Sequence, residues 1–483
     1  MVANESPVTR WISLYVAADR GFVLILAPSR PTPGRFSSRS DLAGKPTWHR
    51  WHAIVSSCGA GLHVPPPGRR TVVAPAHQHR KGEKMTSHSD LPAWVRASSL
   101  GIFVHWGPYS VPAWAEPTGA WGAVPEEKWF AHNAYAEWYA NTMRIPGSPA
   151  AAHQAEQYGD QPYENFLDMW EVAEFEPAEW ARLFRHAGAD YVIPVTKHHD
   201  GVTLWDAPGV GDRSTVARGP KQDLLAPLAD AVRAEGMRFG VYYSGGLDWA
   251  FSDFPPIASM ADVVEFRPNG EDYAAYATAQ VRDLIDRYRP AVIWNDIEWP
   301  DAGKADGSLD ALLAYFRQVV PDGVVNDRWG APVWDYRTSE YSHDTQNERG
   351  VGWEHNRGLG FSFGYNRIED ESLTLSSREL ARLYADVVSR GGRLLLNVGP
   401  EASGRIPDVQ RRTLQGFGEW IAPLKPFTLD RTPLERESLS VSGAEWWVAW
   451  RHDDHIVVVA DTESALARTA DGSPVRVFAL PTA

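Results

Sequence analysis

Polar and aromatic residues recur in this sequence at one kind of place, directly after short apolar runs. Gly101-Ile102-Phe103-Val104 leads into His105-Trp106-Gly107, and Val192-Ile193-Pro194-Val195-Thr196 leads into Lys197-His198-His199-Asp200-Gly201. Phe239-Gly240-Val241 leads into Tyr242-Tyr243-Ser244-Gly245-Gly246, Val292-Ile293-Trp294 into Asn295-Asp296, and Val324-Val325 into Asn326-Asp327-Arg328-Trp329-Gly330. One such cluster means little. Five at corresponding positions point to a shared site at the C-terminal ends of parallel strands, where α/β barrels keep their functional groups. Asp296 suits a nucleophile carried on a rigid strand end; a structural carboxylate or a cap is the competing reading. His198-His199 has three readings. Adjacent strand residues point to opposite faces, which argues against a shared metal ion. Neutral imidazoles both donate and accept, which suits sugar hydroxyls, and core histidines are the third reading. Arg328 either pairs with Asp327 or reaches into the site to position a carboxylate or bind a sugar. Gly245-Gly246 lacks the Lys-Ser/Thr partner of a phosphate loop.

The elements that must position these groups alternate in type. Strand-like apolar runs occupy 101–105, 191–196, 239–243, 292–294, 323–326 and 393–398, with weaker ones at 334–340 and 361–365. Amphipathic helical stretches at 177–189, 221–236, 272–288, 308–320, 376–390 and 407–424 lie between or after them; the first has Pro177 at its start and Gly188 near its end. Strand–helix alternation predicts an α/β fold, an irregular (β/α)8-like TIM barrel spanning 85–424. After Leu424 the pattern becomes short strands at 438–442, 446–451, 455–460 and 475–480, a small antiparallel β domain over 425–483.

Charge divides the chain. Residues 1–84 carry 12 Lys+Arg against 4 Asp+Glu, whereas the remainder carries 35 against 57. The acidic body excludes nucleic acid and anionic membranes as partners. Residues 1–84 are rich in Arg, Pro, Ser and His and show no sustained period, a composition that buries too little apolar surface to offset ordering entropy. Lys81-Gly82-Glu83-Lys84 can be written entirely in purine codons, as a translated ribosome-binding site would be. Met85 is therefore read as the true start, with 1–84 a disordered leader or misassigned segment; a basic tail with a binding role is the alternative. The single Cys58 permits no intramolecular disulfide, and 22–27 is too short for a secretory signal, so a cytoplasmic location is expected. The 22 Trp, 17 Tyr and 17 Phe supply flat apolar faces of the kind that pack on sugar rings, although most must serve packing.

Several of these segments together resemble the glycoside hydrolase family 29 α-L-fucosidases, most closely the bacterial branch with broad aglycone tolerance. They are residues 101–114, Glu137-Trp138-Tyr139, Lys197 to Gly201, Tyr242 to Trp249, Trp294-Asn295-Asp296, Asn326 to Gly330 and Asn397-Val398-Gly399-Pro400. The resemblance covers residues 91–424. It implies a TIM-like barrel, a C-terminal β domain, an exo-acting enzyme that retains configuration, and neither metal nor other cofactor. Asp296 matches the nucleophile, and Glu340, in Thr338-Ser339-Glu340-Tyr341, matches the acid/base. His105, Glu137, Trp138, His198, His199, Tyr243 and Arg328 fall on positions that hold the fucose hydroxyls and surround the nucleophile. Phe103, Tyr135, Trp294 and Phe363 fall on pocket-lining positions, several of them a wall for the C5 methyl group that distinguishes fucose from most hexoses. Fucosylated glycans or glycosides are the implied substrates, and the oligomeric state is left open. An exo-glycosidase for a related sugar, such as an α-L-galactoside, and a binding protein that has lost the chemistry are the rival readings. Two features depart from the family: the 84-residue leader, and a tail of 59 residues that is short for a complete β domain.

Overall fold

The computed structural model describes residues 90–120, 122–341, 352–434 and 438–482. Its centre is a curled sheet of parallel strands: β1 (Leu100–Val104), β2 (Tyr191–Lys197), β3 (Arg238–Phe239), β4 (Val241–Ser244), β5 (Val292–Asp296), β6 (Val324–Val325), β7 (Arg337–Glu340), β8 (Trp353–Gly358) and β9 (Arg393–Val398). Hydrogen bonding runs β6-β5-β4-β2-β1-β9-β8-β7, with β3 beside β2 as the broken first half of β4. Strands β1, β2, β5 and β9 are buried along their full length, as expected of parallel strands covered on both faces. Covering helices are α1 (Pro177–His186), α2 (Leu225–Ala234), α3 (Glu271–Tyr288), α4 (Ser308–Val319), α5 (Ser377–Ser389) and α6 (Asp408–Leu424). Each coincides with an amphipathic stretch of the sequence. Pro177 starts α1, and Ser376 with Glu379 forms a reciprocal capping box on α5.

The barrel is irregular where β6 and β7 meet without pairing as strands. Side chains bridge that gap. Asp335 accepts from the Val325 N–H (2.8 Å) and its own N–H donates to the Val325 carbonyl (3.0 Å). Asp327 accepts from both the N–H (3.0 Å) and the hydroxyl (2.7 Å) of Thr338. These contacts fix β7, and with it Glu340, against a barrel wall that would otherwise end at β6.

One strand departs from the sequence expectation. Residues 361–365 form a loop, and the strand lies at Trp353–Gly358, whose Glu354, His355 and Asn356 are buried. Such a polar run gives no apolar signal. Two of its side chains find partners inside: Glu354 accepts from Trp294, and His355 Nδ1 lies 2.9 Å from the Ser339 hydroxyl.

After α6 come β10 (Thr432–Pro433), β11 (Leu439–Ser442), β12 (Trp447–His452), β13 (His455–Ala460), β14 (Leu466–Thr469) and β15 (Val475–Ala479). They form a four-stranded sheet, β10-β12-β13-β15, and a separate β11-β14 pair. The larger sheet is mixed, because β15 joins β13 in parallel. Trp450, fully buried, donates to the Phe427 carbonyl, and Trp420 of α6 donates to the Ala479 carbonyl, so the sheet packs directly on the last helices. Among the described residues no helix is long and apolar enough to cross a membrane.

Candidate active site

The polar clusters converge at the C-terminal ends of the strands. Asp296, the last residue of β5, is 8% exposed. Its Oδ1 accepts from Arg328 Nη1 (3.0 Å) and the Ile297 N–H (3.0 Å), and its Oδ2 accepts from the Tyr242 hydroxyl (2.9 Å). Burial alone would raise the Asp296 pKa. The Arg328 charge and the His199 ring, with hydrogen bonds from Arg328 and Tyr242, outweigh it and hold the carboxyl below its ordinary range. Glu340 ends β7 and takes the other arm of the same guanidinium, Arg328 Nη2 to Oε2 at 2.8 Å, while the Tyr135 hydroxyl donates to its Oε1 at 3.3 Å. One arginine thus spans both carboxylates, and its planar fork lies 4.6 Å from the centre of the Trp294 ring.

The chain around Asp296 is strained and tightly held. Ile297 and Glu298 both have positive φ (56° and 68°), rare for residues with side chains, and Tyr341 after Glu340 has φ 48°. The Asp296 carbonyl accepts from the N–H groups of Gly245 (3.2 Å) and Gly246 (3.1 Å), and the Asn295 amide donates to the carbonyls of Glu298 (2.9 Å) and Arg328 (2.8 Å). A Cβ on Gly246 would lie 1.6 Å from the Ile297 carbonyl oxygen. The glycine pair therefore serves close packing beneath the loop that follows Asp296.

Three buried histidines line the same mouth. Asn397 Nδ2 donates to the Phe363 carbonyl (2.6 Å), which turns its Oδ1 toward His105 Nδ1 at 2.6 Å. His105 must donate there, leaving Nε2 as an acceptor. Ser244 spends its proton on the Leu247 carbonyl (2.6 Å), so His199 Nδ1 donates to Ser244 Oγ (2.7 Å), and its Nε2 stands 3.9 Å from Asp296 Oδ2. Burial drives His105 down to about 3, His199 to about 4, and His198 well below the usual imidazole value, so all three are neutral near pH 7. His198 Nδ1 is buried and lacks a hydrogen-bond partner among the described residues. Neutral rings with open lone pairs or N–H groups are what hydroxyl groups require. Among the described residues, no group of three or more His, Cys, Asp or Glu side chains is arranged to hold a metal ion.

The α-L-fucosidase family model matches residues 70–424. This chain belongs to the α-L-fucosidase family. It is a glycoside hydrolase of that class, similar to a Dictyostelium discoideum α-L-fucosidase at 30% identity over 346 residues, 69% of this chain and 70% of that one. A crystal structure of Thermotoga maritima α-fucosidase with fucose is 46% identical over 75% of this chain and 81% of that one, with a TM-score of 0.68. The same enzyme with a mechanism-based inhibitor is 46% identical over 76% and 82%, with a TM-score of 0.70.

Within this family member most of the expected site residues come together. Trp138 packs edge-on against His199, with 5.4 Å between ring centres. Tyr135 meets Phe363 at 5.7 Å, and Phe363 meets His105 at 5.0 Å, so these two form an apolar wall beside the histidines. Glu137 is buried, raised to about 7 by burial, and accepts from the Gly364 N–H (2.8 Å) and the Ser362 hydroxyl (3.3 Å), tying it to the loop that carries Phe363. Phe103 and Trp294 lie one layer deeper, each two residues before a site residue, as a floor under His105 and Asp296.

Two expectations need correction. Tyr243 does not reach the site: it faces the helices, in the core with Phe239 and Val241, and donates to Gln280 at 2.9 Å. Its neighbour Tyr242 takes the place, touching Asp296 and stacking on His198 (5.6 Å, 13°) and Trp294 (5.7 Å, 22°). Alternation carries the signal, because apolar Phe239 and Val241 share the parity of Tyr243 and mark the helix-facing side. His198 and His199 do not face apart either. They lie just past the end of β2, where the chain turns, and their rings sit side by side at 4.1 Å. Asn397, Ser244 and Glu354 were not singled out as site residues; Asn397 and Ser244 accept from His105 and His199, and Glu354 accepts from Trp294.

Proposed function

We propose that this enzyme is an exo-acting, retaining α-L-fucosidase in which Asp296 is the nucleophile and Glu340 the acid/base. The observation that carries the reading is the Arg328 fork, which bonds Asp296 at 3.0 Å and Glu340 at 2.8 Å and so keeps two carboxylates within one side chain's span. Close spacing suits double displacement, which needs the carboxyl groups about 5–5.5 Å apart, whereas inversion leaves about 6.5–9.5 Å for a water. The depressed pKa keeps Asp296 charged for attack. In the first step an Asp296 oxygen bonds to the anomeric carbon as the bond to the aglycone oxygen breaks, and Glu340 gives its proton to that oxygen. In the second, Glu340 takes a proton from water, whose oxygen attacks the anomeric carbon and frees the Asp296 carboxylate and L-fucose. His105, His198, His199 and Trp138 hold the sugar hydroxyls. The wall of Tyr135 and Phe363 faces the C5 methyl group, where an added hydroxyl would meet apolar surface. Likeness to the Thermotoga maritima enzyme, solved with fucose and with a mechanism-based inhibitor, supports this assignment.

The test is turnover of a nitrophenyl α-L-fucoside beside the α-L-galactoside, with the first sugar anomer followed by NMR. Preference for the fucoside and initial release of α-L-fucose are expected. Initial release of the β anomer, or equal turnover of the galactoside, would contradict the reading.

A further inference from the structure

The floor of the site hangs from a buried acid that the reaction itself does not use. Glu354 on β8 is 1% exposed inside the barrel, where such folds ordinarily stack apolar side chains. Its Oε2 accepts from the Tyr191 hydroxyl, and its Oε1 accepts from Trp294 Nε1 at 3.1 Å; Arg393 of β9 stands 3.8 Å away. Burial pushes its pKa up, opposed by Arg393 and by the hydrogen bonds from Tyr191 and Trp294. Replacing a buried ion pair by apolar groups of similar volume is often neutral or stabilising, so stability alone is a weak reason for this one.

What Glu354 fixes is an indole with two clients. The Trp294 ring lies under the Arg328 guanidinium at 4.6 Å and stacks on Tyr242 at 5.7 Å, and these two side chains are the ones that bond the oxygens of Asp296. An indole donates through a single N–H, so the acceptor chosen by Nε1 sets the rotation of the whole ring. Glu354 is that acceptor, reached from across the barrel.

We propose that Glu354 is a positioning residue, which orients Trp294 and through it places Arg328 and Tyr242 around Asp296. It acts through the floor and touches no reacting atom. This rests on the reading of Asp296 as nucleophile and adds a buried determinant of that residue's setting.

The test is a mutant cycle read by kcat, KM, the pH profile of kcat/KM and melting temperature on a nitrophenyl α-L-fucoside. The first leg is Glu354→Leu with Arg393→Met, which removes both charges while keeping volume. The second is Trp294→Phe, and the third combines them. The paired variant should fold, lose about 10- to 100-fold in kcat with KM little changed, and move the acidic limb of the profile upward, because misplacing a reacting group by a fraction of an ångström costs on that scale. Since the effect passes through the indole, the combined variant should be no slower than Trp294→Phe alone. A folded paired variant with wild-type kcat, or losses that multiply in the combination, would overturn the proposal. Should the paired variant fail to fold, Glu354→Gln replaces it in the cycle. It keeps one acceptor oxygen, so its loss should be smaller and vanish in the Trp294→Phe background. A loss that persists there at full size would overturn the proposal too. If another residue proves to be the nucleophile, the coupling between Glu354 and Trp294 remains measurable in kcat, and only the assignment of the acidic limb to Asp296 falls.

Discussion

Asp296 is charged because Arg328 and Tyr242 outweigh the burial that would neutralise it, and each of those two can be removed singly. Tyr242→Phe deletes a hydrogen bond to an ionised group, worth about 1.5–3 kcal/mol, so turnover should fall about 10- to 100-fold. The sign of the pH effect follows. A depressed carboxyl pKa keeps the acidic limb of kcat/KM low, and losing a donor that depresses it should move that limb up. Tyr243→Phe should leave turnover intact and lower the melting temperature, because the buried Gln280 oxygen loses its donor, a cost of about 1–3 kcal/mol. Kinetics and calorimetry on the two variants check this, and the reverse pattern would undo the placement of the pair. The histidines, Asp296 and Arg328 were legible in the sequence because each follows an apolar run that has to end at the barrel mouth. The choice between two adjacent tyrosines fell there on Tyr243, the wrong one. It turns on which face of β4 meets the helices, and that parity is carried by Phe239 and Val241 rather than by the motif.

Elements of the barrel were readable in proportion to their apolar content. The helices announced themselves by period and by caps, as at Ser376 and Pro177, and β1, β2, β5 and β9 by runs of buried aliphatic residues. Strand β8 was not readable, because Glu354, His355 and Asn356 look like loop until Trp294 and Ser339 are found facing them. The loop after β8 brings Phe363 to the site and is held from two sides by acids, Glu137 buried and Glu369 half-buried. Glu137 accepts from Gly364, and Glu369 accepts from the N–H groups of Phe361 and Ser362, both at 2.9 Å. Burial raises Glu137 to about 7 and Glu369 to about 8. With folded pKa values above the unfolded ones, the stability these acids contribute is complete at low pH and is lost as pH rises through 7 and 8. The histidines run the other way. His105 and His199 are depressed to about 3 and about 4, so their contribution is present above about 6.5 and lost as pH falls below it. The melting temperature should therefore drop as pH rises from about 6.5 to about 8, the folded pKa of Glu369, as well as on acidification. Glu369→Gln keeps an acceptor but cannot ionise, so it should shrink the alkaline drop; calorimetry showing an unchanged alkaline slope would contradict the account.

As a whole the molecule joins the barrel to a small mixed sheet through Trp450, Trp420 and Arg378, whose guanidinium donates to the carbonyls of Asp461 and Pro481. Residues 1–84 differ from this body in charge and composition, although the family match reaches back to residue 70. A chain beginning at Met85 should express, melt and turn over aryl fucoside like the full sequence, and a loss of either melting temperature or activity would show that the basic segment contributes. The proposed double displacement divides the work between Asp296 as nucleophile and Glu340 as acid/base, and the configuration of a rescued product tests that assignment most directly. In Asp296→Gly no covalent intermediate can form, so turnover of an activated aryl α-L-fucoside should nearly vanish. Azide occupying the vacated space should then attack once and give the inverted β-L-fucosyl azide. In Glu340→Ala an activated leaving group still departs, the glycosyl-enzyme forms, and azide should resolve it to the α-L-fucosyl azide, with configuration retained over two displacements. NMR of the two azides is the decisive measurement: β from the Asp296 variant and α from the Glu340 variant are predicted, and an α product from the Asp296 variant would contradict its assignment as nucleophile.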